Sequence, residues 1–214
     1  MSQTRATIRT LVRTDLDDNN VASMQFQDED INQAIQDAYN EIVAKTQCIV
    51  KKVTLNWADC PIGNYFDFLN DFGVTDFMAT VGIFNNLTNM WLRDDISYRD
   101  LSRIRVDWEL WRGNPQFWVP HSLQYSLIVP INQAPSGTFD LWYWASAPVL
   151  SSDSTALLIA PDLSLPELYT MTDLLESIEE FSKAQTWKQE FLEELLEYKR
   201  RCHDLAQFNF LPRV

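Results

Sequence analysis

Histidine and glycine are both scarce in this sequence: two His and five Gly among 214 residues. The shortage of glycine removes the phosphate-cradling loops, since GxGxxG and P-loop motifs need Gly wherever backbone approaches a ligand closely. No GxSxG elbow is present either. General acid–base catalysis loses its commonest carrier. His121 stands between Pro120 and a strand-like run, and His203 lies near a helix C-terminus, where a cation is favoured. Neither has a local partner pattern, and both read as structural. Cysteine is sparse too, with Cys48, Cys60 and Cys202 widely separated. An odd count at such spacing fits free thiols in a reducing compartment better than a disulfide framework. Cys202 beside His203 is not a nucleophile–base pair, because successive helical residues point in different directions. No apolar run approaches the ~18 residues of a membrane helix, and the first residues, Met1-Ser-Gln-Thr-Arg-Ala6, lack the core of a signal peptide. These features describe a soluble protein made in the cytoplasm.

Positive charge is also short. Seventeen Lys and Arg face thirty Asp and Glu, giving a net charge of −13 spread along the chain. A protein that grips nucleic acid needs clustered cations, so that class is excluded. The acids do not assemble a metal site. Asp15, Asp17 and Asn19 have the rhythm of a calcium loop, but Asn20 replaces its Gly and Phe26 its final Glu. Asp28, Glu29 and Asp30 sit where a helix dipole favours negative charge and read as a helix start. Glu179-Glu180 and Glu193-Glu194 read as solvated faces. The residues call for no cofactor, no metal and no catalytic set, so the chain is expected not to be an enzyme.

Aromatic residues are plentiful: eight Trp, seven Tyr and twelve Phe. They are dense at Trp108, Trp111, Phe117 and Trp118 and again at Trp142 and Trp144, and the stretch from Gly113 to Pro148 organises the chain. There Leu123–Val129 and Thr138–Trp144 flank a segment holding Pro130, Pro135 and Gly137, which predicts an antiparallel hairpin with a long loop. Trp142 and Trp144 share one strand face and Tyr143 the other. Upstream, Lys51–Trp57 and Tyr65–Phe68 alternate as two strands around a Pro61–Asn64 turn. Phe77–Phe84 and Met90–Arg93 form another hairpin, and Ser97 caps a short helix to Ile104 with Leu101 and Ile104 as apolar partners.

Helical periodicity brackets this region. Thr4 caps a helix whose Ile8, Leu11, Val12 and Leu16 share a face, and Asp28 caps a second with Ile31, Ala34, Ile35, Ala38, Ile42 and Val43 as its stripe. Pro166 opens a third helix, with a stripe from Leu168 to Phe181. Thr186 and Gln189 match a capping box and predict a break and a fourth helix, with Phe191, Leu192, Leu195, Tyr198, Cys202 and Leu205 facing the core. The final residues, Phe208–Val214, are apolar and proline-broken, and are expected not to extend it. The sum is an α+β chain. Residues 1–50 and 151–207 form a helical body, 51–150 a central antiparallel β module, and 208–214 a C-terminal extension.

Taken in order, these elements resemble the head-to-tail adaptor proteins of tailed bacteriophages. The resemblance rests on Leu11-Val-Arg-Thr-Asp-Leu-Asp-Asp18, Phe26–Ile35 and Ala38-Tyr-Asn-Glu-Ile42, then Trp111-Arg-Gly-Asn-Pro115 with Phe117-Trp118. It continues through Leu127-Ile-Val-Pro130, Leu141-Trp-Tyr-Trp144, Pro148 and Leu165-Pro-Glu-Leu-Tyr169. The chain departs from the pattern between Gly63 and Asp76, where Phe66-Asp67 replaces Leu-Pro and Phe66, Phe68 and Phe72 are extra. The resemblance implies a virion protein at the neck: a homo-oligomeric, twelvefold ring beneath the portal protein that continues the DNA channel. The genome would pass without specific binding, a downstream tail or nozzle protein would attach below, and no membrane would be involved. The apolar terminus (Phe208, Phe210, Leu211, Pro212) would dock on the portal. The loop Pro130, Ile131, Asn132, Gln133 and Pro135 would contact a tail partner. A competing reading, a carbohydrate- or receptor-binding tail module, would use exposed Trp118, Trp142 and Trp144 as a stacking platform.

Overall fold

The computed structural model describes residues 3–18, 25–60, 65–120, 125–129, 137–159 and 164–210. The elements begin with α1 (Arg5–Asp15), α2 (Asp28–Thr46), β1 (Val50–Asn56), β2 (Tyr65–Asp67), β3 (Phe77–Asn85), β4 (Met90–Trp91) and α3 (Tyr98–Ile104). They continue with β5 (Phe117–Pro120), β6 (Tyr125–Val129), β7 (Thr138–Ala145), α4 (Leu165–Ser177) and α5 (Phe181–Phe210). The fold is α+β, as the segregated periodicities predict. The chain divides into two compact units: a helical one from the chain up to Ile49 and from Ala147 to Asn209, and a β unit centred on Val50–Ser146.

In the helical unit, the Thr4 hydroxyl caps α1 by accepting from the Thr7 amide. Ile8 and Val12 are buried, but Leu11, expected beside them, is 40% exposed. Arg13 takes a buried place instead. Its guanidinium donates to the Asp18 carboxylate (3.0 Å), the Phe26 carbonyl (3.2 Å) and Asp28 (2.6 Å). Asp18 also accepts from the backbone N–H of Gln25 (2.7 Å) and Phe26 (3.3 Å). The polar run that ends α1 is therefore a buried ion-pair clamp that fixes the approach to α2. Asp28 is not the N-cap of α2: Gln27 is, and the Asp30 carboxylate accepts from its N–H. Asp28 is instead helical and free to pair with Arg13.

The α2 stripe is buried as expected, with Tyr39 added to it. The Tyr39 hydroxyl accepts from the Leu158 amide (3.0 Å), the Gln36 side chain accepts from the Leu150 amide (2.8 Å), and Arg5 and Arg9 both grip Asp153. The connector before α4 is thus laced onto α1 and α2. α4 packs on both of these helices through Leu165, Leu168, Met171, Leu174 and Leu175. It stops earlier than the sequence suggests. Glu179 takes a left-handed conformation (φ 63°) and the Glu180 N–H returns to the Leu175 carbonyl, a helix-ending geometry. Thr186 and Gln189 then lie inside one continuous α5, where Gln189 donates to Glu193 rather than capping anything. The backbone of α5 also runs through Phe210, into the terminal segment expected to lie outside it.

The β unit contains two sheets, β1-β7-β3-β4 and β2-β6-β5. The expected hairpin of Leu123–Val129 with Thr138–Trp144 does not form. β7 is central, paired antiparallel to β1 on one side and β3 on the other, and has no free edge for β6. β6 pairs with β5 and β2 in the other sheet. β2 likewise leaves β1 for β6, whereas the β3–β4 hairpin and the Ser97-capped α3 form as predicted. Both β6 and β7 are strongly strand-forming, so local pattern could not say which neighbours they take.

Alternation along β7 buries Phe139, Leu141, Tyr143 and Ala145. Trp57 packs on Phe139 (4.2 Å between ring centres), and Phe72, Phe68 and Phe77 continue the stack to Tyr143. The extra phenylalanines of the 63–76 stretch are therefore core. Trp57 Nε1 donates to the buried Asn85 (3.2 Å), which satisfies both groups. A separate small cluster joins Leu101, Trp108 and Val119.

Candidate interaction surfaces

Among the described residues no group of three or more His, Cys, Asp and Glu could hold a metal ion. His203 is exposed on α5, and His121 lies outside the described residues. What the chain offers is surface.

The tryptophans divide between core and sheet face. Trp57, Trp108 and Trp118 are buried, Trp118 at 6% exposure. Trp142 and Trp144 are half-buried on β7, Trp142 beside Trp91 and under the Lys52 ammonium. Trp118 belongs to β5, in the other sheet. The three rings named for a sugar platform do not lie on one face, and the most enclosed of them has no surface to stack on.

The longest solvent-facing element is α5. Its inner face is Ala184, Phe191, Leu195 and Tyr198, with Phe191 edge-on to Tyr169 of α4 (5.3 Å). Leu192, expected to face the core, does not. At 100° per residue, Phe181, Leu192, Leu196, Lys199 and His203 fall along one flank, and Glu190, Glu193 and Glu197 along the opposite one. The first flank exposes Phe181 (62%), Leu192 (46%) and Leu196 (60%). Leu196 joins Lys199, Arg200 and His203 around a shallow depression. The second flank lines a groove with Ser164, Leu168 and Glu194, and Glu194 accepts from the Ser164 N–H (3.0 Å). Nearby, burial and a hydrogen bond that the protonated Glu167 carboxyl donates to Asp15 push Glu167 up to about 7, with Asp15 and Glu194 adding repulsion. One element thus carries an apolar–basic surface on one flank and a mainly acidic one on the other, where Arg201 of the same helix pairs with Glu197 (2.5 Å).

A family model for the SU10 adaptor protein matches residues 3–207, nearly the whole chain. The chain belongs to the SU10 adaptor protein family. It is a phage head-to-tail adaptor, and a structural family of this kind points to a non-enzymatic role. No curated protein matches the adaptor. Among its described residues no helix is long and apolar enough to cross a membrane.

Of the adaptor's expected contact residues, Phe208 and Phe210 lie on the α5 backbone. Leu211 and Pro212 lie outside the described residues, as do Pro130, Ile131, Asn132, Gln133 and Pro135. The two flanks of α5 were not anticipated. Their signal is in the sequence, as Glu190, Glu193 and Glu197 against Leu192, Leu196, Lys199 and His203 on a single helix, but it becomes visible only when that helix is uninterrupted.

Proposed function

We propose that this adaptor is a ring-forming virion protein of the neck that docks beneath the portal, continues the DNA channel and provides the attachment platform for tail components. Family membership over nearly the whole chain is the observation that carries this reading. The two flanks of α5 support it physically. A closed ring needs heterologous contacts, in which one patch meets a different patch on the next copy. Copies with a net charge of −13 repel unless opposite charges are brought together at the contact. Leu192, Leu196, Lys199 and Arg200 on one copy and Glu190, Glu193 and Glu197 on the next would supply that match.

Twelve copies would follow the portal's symmetry. Phe208, Phe210, Leu211 and Pro212 would supply the portal anchor, and Pro130–Pro135 the contact with the downstream protein. An acidic wall would repel DNA within a Debye length of ~8 Å and let it slide. Electron microscopy of the full chain, alone and mixed with portal rings of its own phage, tests the proposal. Rings coaxial with the portal are expected. A chain that adds no density to portal rings, or that retains duplex DNA in a gel-shift assay, would overturn it.

A further inference from the structure

Between β4 and β5 the chain of the β unit makes an excursion whose two ends are clamped side by side. The Arg93 amide donates to the Gln116 carbonyl (2.8 Å), the Trp118 amide donates to the Arg93 carbonyl (2.9 Å), and the Arg93 guanidinium lies over the Phe117 ring (5.3 Å). Residues 94–115 thus leave the sheet and return to the place they left. They are ordered in between. Ser97 and Asp100 cap α3 reciprocally, Leu101 and Trp108 pack with Val119 of β5, and Tyr98 stands edge-on to Trp108 (5.5 Å). An arm held in this way on a scaffold has already lost much of the freedom that binding would otherwise remove.

What the arm turns outward is apolar. Val106 is 95% exposed and Leu110 71%, and Ile104 is exposed as well. Arg105 and Asp107, on either side of Val106, pair with each other (2.6 Å), and Arg105 lies over the Trp111 ring (5.5 Å). The flanking charges are bound down and Val106 is left standing. A single exposed apolar residue is ordinary, but three within seven residues of one pinned arm leave apolar area that nothing among the described residues covers.

Charge says what that area fits. From Tyr98 to Arg112 four Arg stand against three acids, in a chain whose net charge is −13. Two of those acids are taken, Asp100 by Arg103 (3.3 Å) and Asp107 by Arg105. Arg112 donates only to the carbonyls of Glu109 and Trp111, and exposed Arg99 pairs with no carboxylate among the described residues. The arm offers an apolar tip with spare guanidiniums, and its complement is a surface rich in carboxylates. The rest of this same chain supplies one: outside 93–112, twenty-five acids face twelve bases. We propose that the arm is the β unit's share of the contact between neighbouring copies, with Ile104, Val106 and Leu110 seated on the next copy and Arg99 and Arg112 meeting its carboxylates. The inference rests on the reading that copies assemble, and adds to it a contact surface on the β unit.

The test puts the photo-crosslinker p-benzoylphenylalanine in place of Val106 in the full chain. The protein is irradiated alone at high concentration and again on portal rings of its own phage, and adducts are mapped by mass spectrometry. The expected product joins the arm to a second copy at one acid-bearing peptide. Val106→Asp with Leu110→Asp should weaken association roughly tenfold or more by sedimentation and leave the monomer's melt unchanged, since both side chains are exposed. Rings that form with no adduct to a copy would overturn the arm and leave the ring standing. Copies joined at position 106 that never close into rings would do the reverse. An adduct to the portal alone, adducts scattered over many peptides, no adduct in either sample, or unaltered association of the double variant would each overturn the inference.

Discussion

The Arg13–Asp18 clamp makes the sharpest prediction for the helical unit. Replacing Arg13 with Met keeps most of the side-chain volume but leaves the Asp18 carboxylate, 6% exposed, without its cation. Breaking one partner of a buried ion pair costs about 3–5 kcal/mol. The remaining bonds from the Gln25 and Phe26 amides offset part of that. The lost Arg13–Asp28 pair adds little, because Asp28 is half exposed. The expected loss is therefore about 3 kcal/mol, or a fall in midpoint of roughly 6–12 °C for a chain of this size. Far-UV circular dichroism reports it, since the helical unit dominates that signal. Asp18→Asn in the Arg13→Met background removes the stranded charge, so the double variant should be less destabilised than the sum of the singles by about 2 kcal/mol. Additive singles, or an Arg13→Met loss below about 1 kcal/mol, would refute the clamp.

Gly82→Ala places a Cβ 2.9 Å from the Trp91 ring; it should displace β4 and cost about 1–3 kcal/mol by urea melts, with Trp91→Leu restoring most of it. Glu167 has a raised folded-state value, near 7 against an ordinary 4.5. The native chain therefore holds this proton longer than the unfolded chain, and stability should fall as pH rises from about 4.5 through 7. Glu167→Gln should match wild type near pH 4 and melt higher at pH 8; equal melting at pH 8 would show that Asp15 and burial do not hold the proton. If α5 joins copies, Lys199→Glu with Arg200→Glu should abolish rings by mass photometry while leaving the monomer's melt unchanged. Mixing that variant with Glu193→Lys, Glu197→Lys chains should restore them in alternation.

Helices were legible because each buries a stripe at helical spacing and carries its own start signal. Ile31 through Val43 on α2 and Ser97 on α3 are such cases. Their ends were less so. Nothing in Ser177–Glu180 announces a stop, since it is a left-handed Glu179, not a glycine, that turns the chain. Most strand positions were legible too, β5 excepted, but apart from the β3–β4 hairpin their partners were not. β6 and β7 have the same aromatic, β-branched composition, and what separates them is that β1 and β3 fill both edges of β7. The interaction surfaces were the least visible. Reading Leu192 as core and Glu193-Glu194 as solvent treated α5 as a two-faced helix, when it has an inner face and two chemically distinct flanks.

That third face resolves a tension in the composition. A chain with thirty acids and seventeen bases gains from repulsion if it must let a polyanion pass, and is hindered by it when it must pack against itself. Spreading charge evenly would serve neither requirement. If copies pack through α5, exposed Lys199 and Arg200 beside bare Leu192 and Leu196, set against Glu190, Glu193 and Glu197 of the next copy, would localise attraction to one contact. The remaining acidic surface would stay repulsive. Apolar area supplies the non-directional part of such a contact, and charge fixes its register and excludes the mismatched orientation in which acid meets acid. Salt separates the two contributions. If charge sets the register, raising ionic strength should weaken ring formation only modestly while broadening the distribution of copy numbers. If charge supplies the affinity, rings should dissolve to monomers.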